Sequence, residues 1–453
     1  MTRIELDDDQ KKAVDRMVRE PTKAALNGSL YGTGKTVVTV ETAYALGGKI
    51  NLIVCPVSTR MGWRETILRQ YPDVSVRIID STKRGKDNLA SLVSLDAGWY
   101  IVGRELFATK NIQEALRLKW KHIDFLAYDE CQKWANRKSQ GFRAMKQVKP
   151  GYKMALSATP YGNKFQNMWA ITKWLWPDLN GGFWNWVTEW CDQAFDPFAG
   201  TVVRGPIKSK PQDAYVNSLP CYVRLEVDYG EPEEYELEVT LSSAERKIYE
   251  EFNKYLIVWL QENPLIASVP MVKRMRLRQM TLGMVSYDPV ADMVYYEDDM
   301  KSTKYDALTG IIDQMPGEPL LILTHSAKYA RIVAEKLRAD GHSAAPWTGD
   351  VSQSARELVK SEFLAGNVDY IVATIASIGE GVDGLQHRAR VMVWLSRDDN
   401  NMLNQQAFRR LHRRGQERQV ISIDIVAKDT YDRGQLDNLI QQQVMINESL
   451  RKK

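Results

Sequence analysis

From the start of the chain to about Thr159, short apolar runs rich in β-branched residues alternate with stretches of helical period. The runs are LIVCP at Leu52 to Pro56, WYIVG at Trp99 to Gly103, FLAYDE at Phe125 to Glu130 and MALSATP at Met154 to Pro160. Such alternation predicts βαβ units around a parallel sheet whose strand ends present loops to a ligand. After Pro160 the pattern changes to a stretch containing Trp169, Trp174, Trp176, Trp184, Trp186 and Trp190, then a Gly- and Pro-containing region through Pro211. Packing between helices is the commoner role for large aromatics, so these side chains are expected in the core rather than stacked on bases. Between about Leu241 and Met284 the chain reads as helical and increasingly basic, and KSTKYDALTGIID opens another helix. Apolar runs then return as LLILTH at Leu320 to His325, YIVATI at Tyr370 to Ile375, VMVWL at Val391 to Leu395 and VISIDIVA at Val420 to Ala427. The fold class is therefore α/β, with two parallel-sheet lobes and helical insertions. The expected division is residues 1–239, a first lobe with its tryptophan-rich extension, and 240–453, a helical linker and a second lobe.

Length supports that division, because 453 residues exceed the usual size of one compact core. No apolar run approaches the roughly 20 residues that span a bilayer. The opening MTRIELDDDQ is too acidic and polar for a signal peptide, so a cytoplasmic location, with no membrane partner, is expected. Cys55, Cys131, Cys191 and Cys221 lie far apart with no CxxC pair, which speaks against a zinc site or a disulfide framework. A net charge of +4 on 61 basic and 57 acidic residues is far from that of a histone-like binder. Any nucleic-acid track is then a local stripe, with Lys208 to Lys210, Lys273 to Arg278 and Arg409 to Arg414 as candidates beside the plainer reading of solvated surface.

The strongest chemical signal is SLYGTGKT, Ser29 to Thr36, between an apolar run and a helical pattern. Gly32, Thr33 and Gly34 form a loop whose glycines let backbone N–H groups and the helix N-terminus face phosphates. Lys35 reaches the β/γ oxygens, and the Thr36 hydroxyl suits Mg²⁺. The strict pattern wants a glycine where Ser29 stands. A phosphate cradle needs a metal-holding carboxylate at a neighbouring strand end, and FLAYDECQ supplies one: Asp129 for the metal and Glu130 to orient and deprotonate water. Positive charge must also reach the leaving γ-phosphate. In QQAFRRLHRRGQ, Arg410 and Arg413 stand at i and i+3, expected on one helix face, and their distance in sequence from Lys35 predicts an active site completed from the other lobe.

GTGKT, DECQ, SATP (Ser157 to Pro160), GEGVDGL (Gly379 to Leu385) and QAFRRLHRRGQ stand in the order of superfamily 2 helicase motifs I, II, III, V and VI. The last resembles the Swi/Snf pattern QAxxRxHRxGQ at Gln406, Ala407, Arg410, His412, Arg413, Gly415 and Gln416. The chain thus resembles the Swi/Snf-type double-stranded DNA translocases, which implies two RecA-like lobes. The resemblance implies that Gln10 of LDDDQ contacts adenine, that Gly381 and Asp383 stand at the nucleotide, and that SATP couples nucleotide state to DNA grip. It further implies DNA contacts at Ser58, Thr59, Arg60, Thr324, His325, Gly349, Thr374 and Ser377, types that suit sequence-independent phosphate contacts. Cys131 and Gln132 depart from a DEAH-type box. Accessory chromatin-reading domains would need long extra segments, so a nucleosome substrate is not expected.

The function implied is a monomeric, DNA-stimulated ATP hydrolase with ATP and Mg²⁺ as cofactors. It would move along duplex or branched DNA in remodelling, repair or recombination, with a protein partner left open. Alternatives are a strand-separating DNA or RNA helicase, a nucleotide-gated DNA-binding module, and the motor subunit of a restriction or repair complex.

Overall fold

A computed structural model describes residues 3–450 except 31, 118–121, 161–163, 197–199, 208, 210–211, 228, 261–262, 267–269, 292, 297–300 and 380–381. The chain forms two compact units, Met1–Asp228 with Ser449–Lys453, and Tyr229–Glu448.

The first unit is built on strands β1 (Ala24–Asn27), β2 (Ile50–Cys55), β3 (Val76–Ile79), β4 (Gly98–Gly103), β5 (Phe125–Tyr128) and β6 (Tyr152–Leu156). An antiparallel hairpin follows, β7 (Cys191–Asp196) with β8 (Gly200–Pro206), and then β9 (Tyr222–Val223). The sheet is parallel, in the order β3-β4-β2-β5-β6-β1-β9. Every residue of β1, β2 and β5 is buried, as expected of strands covered on both faces. Trp174, Trp176 and Trp186 are buried, but Trp184 is 48 % exposed, with the Arg137 guanidinium 5.8 Å from its ring. The expectation of a core position therefore fails at Trp184, which lies against a cation at the surface.

The second unit contains β10 (Glu233–Val239), the hairpins β11 (Ile257–Leu260) with β12 (Asn263–Ile266) and β13 (Val285–Asp288) with β14 (Met293–Tyr296), then β15 (Leu320–Thr324), β16 (Ala344–Trp347), β17 (Tyr370–Thr374), β18 (Val391–Trp394) and β19 (Ile421–Ala427). Its six-stranded parallel sheet runs β10-β19-β18-β15-β17-β16. Two parallel sheets carried by one chain bear out the α/β reading. The boundary expected at 239/240 falls later than the division found, because Glu233–Val239 pairs along its length with β19. The stretch Leu241 to Met284 is not helical throughout: helices Ser243–Tyr255 and Pro270–Met280 flank the β11–β12 hairpin.

One charged contact is sealed into this unit. Lys304, in helix Thr303–Gln314, places Nζ 2.5 Å from Asp432 Oδ2 and 2.5 Å from the Leu395 carbonyl, with the two side chains 1 % and 8 % exposed. It joins that helix to the end of β18 and to the C-terminal helix Tyr431–Leu450. No helix of the described residues is long and apolar enough to cross a membrane.

Candidate active site

The phosphate-loop candidate leaves β1 and enters helix Lys35–Ala45. Gly32 and Gly34 take φ of 77° and 82°, the left-handed region that favours glycine. Lys35 Nζ donates to the Ser29 and Leu30 carbonyls, both at 2.9 Å, so the ammonium group is held within the curl of the loop. Thr36 follows it in the first helical turn. Gln10 is brought to the same loop. It is the third residue of helix Asp8–Arg19 and completes a capping box: Asp7 N–H donates to Gln10 Oε1 at 3.1 Å, and Asp7 Oδ1 accepts from Gln10 N–H at 2.8 Å. Gln10 Nε2 then donates to the Thr33 carbonyl at 2.8 Å. A Cβ on Gly34 would stand 2.5 Å from that same Nε2.

Asp129 and Glu130 follow β5, so both carboxylates and the loop lie at the carboxyl edge of one parallel sheet, where such sheets bind ligands. Asp129 Oδ2 accepts from the Trp63 indole N–H at 3.1 Å and Oδ1 from the Glu130 amide at 3.0 Å. Burial, reinforced by the neighbouring Glu130 carboxylate, pushes the Asp129 pKa up to about 6, against the opposing effects of the Trp63 hydrogen bond and the Lys35 charge. Lys35 is thus near enough to act on Asp129 electrostatically. Glu130 itself adopts a left-handed conformation, φ 52°, and its carboxylate accepts from Gln132 Nε2. Gln132, a departure from the DEAH pattern, therefore contacts the residue assigned to water.

Among the expected DNA contacts of this unit, Ser58 and Thr59 lie in a short 3₁₀ turn, Val57–Thr59, and Arg60 opens helix Arg60–Gln70. The Thr59 hydroxyl donates to the Pro56 carbonyl at 3.0 Å and Arg60 Nε to the Val57 carbonyl at 3.2 Å. Ser58 Oγ is buried without a hydrogen-bond partner among the described residues. In the SATP segment, Ser157 Oγ accepts from the Thr159 amide at 3.0 Å.

In the second unit, Thr324 and Thr374 are paired neighbours at the ends of β15 and β17. The Thr374 hydroxyl lies 2.6 Å from that of Ser377, which donates to the Trp347 carbonyl at 2.8 Å. Thr324 Oγ1 is 3.1 Å and His325 Nδ1 2.8 Å from Ser396 Oγ. Burial, with repulsion from Arg278 and Lys304, holds the His325 pKa well below the usual imidazole range, so the ring is neutral. Gly349 is exposed just beyond β16, its carbonyl accepting from Arg356 at 2.8 Å.

The expected helical presentation of Arg410 and Arg413 is overturned. Helix Asn401–Phe408 ends before either residue, and the chain continues in turns, with Arg410 N–H donating to the Ala407 carbonyl at 3.0 Å and Gly415 at φ 87°. Side-chain bonds rather than an i, i+3 relation bring the two guanidiniums to one segment. Arg410 donates to the Val382 carbonyl at 2.6 Å and to the Gly379 carbonyl, and Arg413 Nη1 lies 3.1 Å from Asp383 Oδ1. The Asp383 carboxyl is held below its usual range: desolvation opposes this, but Arg413, Arg410, the Gly384 amide and Lys360 outweigh it. Gly381 lies outside the described residues, as do Lys208 and Lys210. Of the other basic candidates, Arg276 is buried, Arg278 is bonded to Asp399 and to the Arg397 carbonyl, Lys273 Nζ donates to the Asn253 carbonyl at 2.9 Å, and Arg274 is exposed.

Sequence reasoning missed Trp63, Ser396 and Leu225, which hold functional residues across long separations: Trp63 bonds Asp129, Ser396 meets Thr324 and His325, and the Leu225 N–H donates to Ser29 Oγ at 2.9 Å. Only Trp63 lies close in sequence to residues expected to be functional, three places after Arg60.

This arrangement defines a nucleotide-loop protein with a second, arginine-bearing α/β unit. The model of the SNF2-related domain matches residues 9–282 and that of the helicase conserved C-terminal domain residues 303–415. The chain belongs to the SNF2-related family, and the Swi/Snf resemblance read from its motif order is borne out. It is 22 % identical over 419 residues to chromodomain-helicase-DNA-binding protein 1-like of Danio rerio, covering 89 % of this chain and 40 % of that protein. It is 38 % identical over 85 residues to the ATP-dependent RNA helicase DeaD of Mycobacterium tuberculosis, covering 18 % of this chain and 15 % of that one. The chain thus spans well under half the length of these relatives. Among solved structures it is similar to the Sulfolobus solfataricus SWI2/SNF2 ATPase core in complex with dsDNA, at 19 % identity and a TM-score of 0.43, covering 97 % of this chain and 92 % of that one.

Proposed function

We propose that this chain is a DNA-stimulated, Mg²⁺-dependent ATP hydrolase that converts ATP turnover into movement along duplex or branched DNA, with remodelling of DNA or of DNA-bound proteins as its output. The observation that carries the reading is the convergence of Lys35, Thr36 and Gln10 on one glycine loop with Asp129 and Glu130 at the next functional strand end of the same sheet.

The donor set fits Mg²⁺: a hydroxyl at Thr36 and a carboxylate at Asp129 are hard oxygen ligands, and the Lys35 charge alone does not offset the burial of Asp129 and the neighbouring Glu130 carboxylate. Thr36 and Asp129 would hold the ion, which would supply positive charge to the bound phosphates. Lys35 exchanges its two carbonyl partners for phosphate oxygens. Glu130, oriented by Gln132, accepts a proton from the attacking water. Arg410 and Arg413 are the candidates to supply positive charge to the γ-phosphate, and Gln10 and Asp383 the candidates to contact the nucleotide. Thr59, Arg60, His325, Gly349 and Ser377 would contact the DNA backbone, with His325 contributing hydrogen bonds rather than charge because its ring is neutral, whereas the buried Thr324 and Thr374, and Ser58 with its buried hydroxyl, would hold those turns in place.

A second reading, a strand-separating or RNA-directed motor, draws support from the 85-residue likeness to an RNA helicase. Displacement of a third strand from a triplex under ATP separates the two. Triplex displacement without unwinding of a flanking duplex supports translocation; unwinding of a forked duplex without triplex displacement overturns it in favour of strand separation.

A further inference from the structure

Ser29 stands where the phosphate-loop pattern asks for glycine, and its hydroxyl has a task that glycine could not perform. The Leu225 N–H donates to Ser29 Oγ at 2.9 Å, and the Leu30 N–H donates to the Leu225 carbonyl at 2.9 Å. The carbonyls of the same two residues, Ser29 and Leu30, are the ones that accept Lys35 Nζ. Two adjacent residues therefore hold, on their carbonyls, the ammonium group assigned to the phosphates and, on a hydroxyl and an amide, the backbone of Leu225. Ser29 is fully buried, and its own amide donates to Asn27 Oδ1 at 3.2 Å, so its rotamer and backbone are both constrained.

Leu225 lies a few residues before the second unit begins at Tyr229. Within that unit the start of the chain is also fastened to functional residues. The Gly230 carbonyl lies 2.8 Å from His412 Nε2, and Arg409 Nη1 lies 2.8 Å from His412 Nδ1. A carbonyl only accepts and a guanidinium only donates, so Nε2 carries the ring proton. The Tyr229 ring meets the His412 ring edge-on at 5.6 Å, and His412 adjoins Arg413. Each end of this connector is thus fastened within its own unit, Leu225 to the phosphate loop and Gly230 to the arginine turn.

We propose that Ser29 is a positioning residue that makes the connector sense phosphate-loop occupancy. When phosphate oxygens take Lys35, the Ser29 and Leu30 carbonyls lose their shared cation and the Leu225 clasp loosens. The connector then passes that change to the segment held by His412. The proposal rests on the nucleotide-site reading above and adds to it the residue through which occupancy is relayed.

The test is residue-resolved hydrogen exchange over 224–230 of the full chain, with Mg²⁺ alone and with Mg²⁺ plus a non-hydrolysable ATP analogue, alongside analogue affinity and steady-state kinetics of wild type and Ser29→Ala. In the wild type the analogue is expected to speed exchange at the Leu225 amide about threefold or more, because one hydrogen bond or its charged support shifts a local opening equilibrium by that order. Ser29→Ala is expected to exchange fast at Leu225 with or without analogue, to bind the analogue up to about threefold more tightly because the clasp that occupancy loosens is already open, and to lose about fivefold in kcat without a rise in KM. A purely structural role would not separate kcat from KM in this way. Unchanged or slower Leu225 exchange in a wild type that binds the analogue overturns the proposal, as does a nucleotide response that survives Ser29→Ala. If Ser29→Ala does not fold, the wild-type exchange decides alone. A wild type that binds no analogue overturns the nucleotide-site reading itself, and this proposal with it.

Discussion

Replacing Lys304 by Met removes one partner of the ion pair sealed in the second unit. Lys304 Nζ lies 2.5 Å from Asp432 Oδ2 and donates to the Leu395 carbonyl, and its side chain is only 1 % exposed. Truncating one side of such a pair costs about 3–5 kcal/mol, because the remaining charge stays buried without its counter-ion. Asp432 keeps hydrogen bonds from the Thr281 hydroxyl at 3.0 Å and the Ala427 amide at 3.3 Å, which places the expected cost near the lower end, about 3 kcal/mol. For a unit of this size that lowers Tm by about 6–12 °C. Thermal unfolding of the full chain, followed by calorimetry and far-UV circular dichroism, measures it. Lys304→Met with Asp432→Leu leaves no orphaned charge and is expected to recover most of the loss. Lys11→Met, which removes an exposed pair with Asp8, serves as control and should cost less than about 0.5 kcal/mol. The reasoning is refuted if Lys304→Met unfolds within about 1 kcal/mol of wild type, or if the double variant is no more stable than the single one. The consequence reaches function, because Leu395 precedes Ser396, whose hydroxyl holds Thr324 and His325.

Glu130→Gln is expected to retain nucleotide affinity and lose at least about 100-fold in kcat, the scale of a general base; turnover like wild type removes Glu130 from that role. Arg413→Ala should lose about 10³-fold in kcat with little change in binding, and unaltered single-turnover hydrolysis would sink the arginine assignment. Gly34→Ala combines left-handed strain of about 1–2 kcal/mol with a contact to Gln10 Nε2, so adding Gln10→Ala should relieve the contact and leave the strain; denaturant titrations of the single and double variants check this. His325 has its folded pKa lowered, so below the ordinary imidazole value the unfolded chain binds a proton that the folded one does not. Stability is therefore fully present above about pH 6.5 and falls by up to about 1.4 kcal/mol per pH unit below it. His325→Gln should flatten that slope relative to wild type in unfolding measured from pH 7 to 5, and an unchanged slope would contradict the neutral assignment.

How much of this was readable depends on what carried the signal. The central strands were legible because parallel strands covered on both faces need unbroken apolar runs. Four strands of the two parallel sheets were not: Val76–Ile79 is a half-buried edge strand, Tyr222–Val223 is two residues long, Glu233–Val239 is an edge strand loaded with glutamates, and Ala344–Trp347 contains Pro346, which an edge position tolerates. The glycine loop and the paired acids were legible because their chemistry is local in sequence. The manner in which Arg410 and Arg413 meet was not. Spacing suggested a helix face, whereas the chain leaves the helix at Phe408 and the guanidiniums find carbonyls and Asp383 in a segment about 30 residues earlier. Gln10 shows both cases at once: its capping box is written in LDDDQ, but its bond to Thr33 exists only after folding.

The central claim is ATP hydrolysis governed by DNA. Steady-state hydrolysis should be measured with no nucleic acid, duplex DNA, single-stranded DNA, branched DNA and RNA, at one fixed moderate salt concentration, since backbone binding is steeply salt-dependent. Strong stimulation by duplex or branched DNA, abolished by Lys35→Ala, is the predicted result. Stimulation by single strands or RNA alone, or no hydrolysis under any condition, would contradict it.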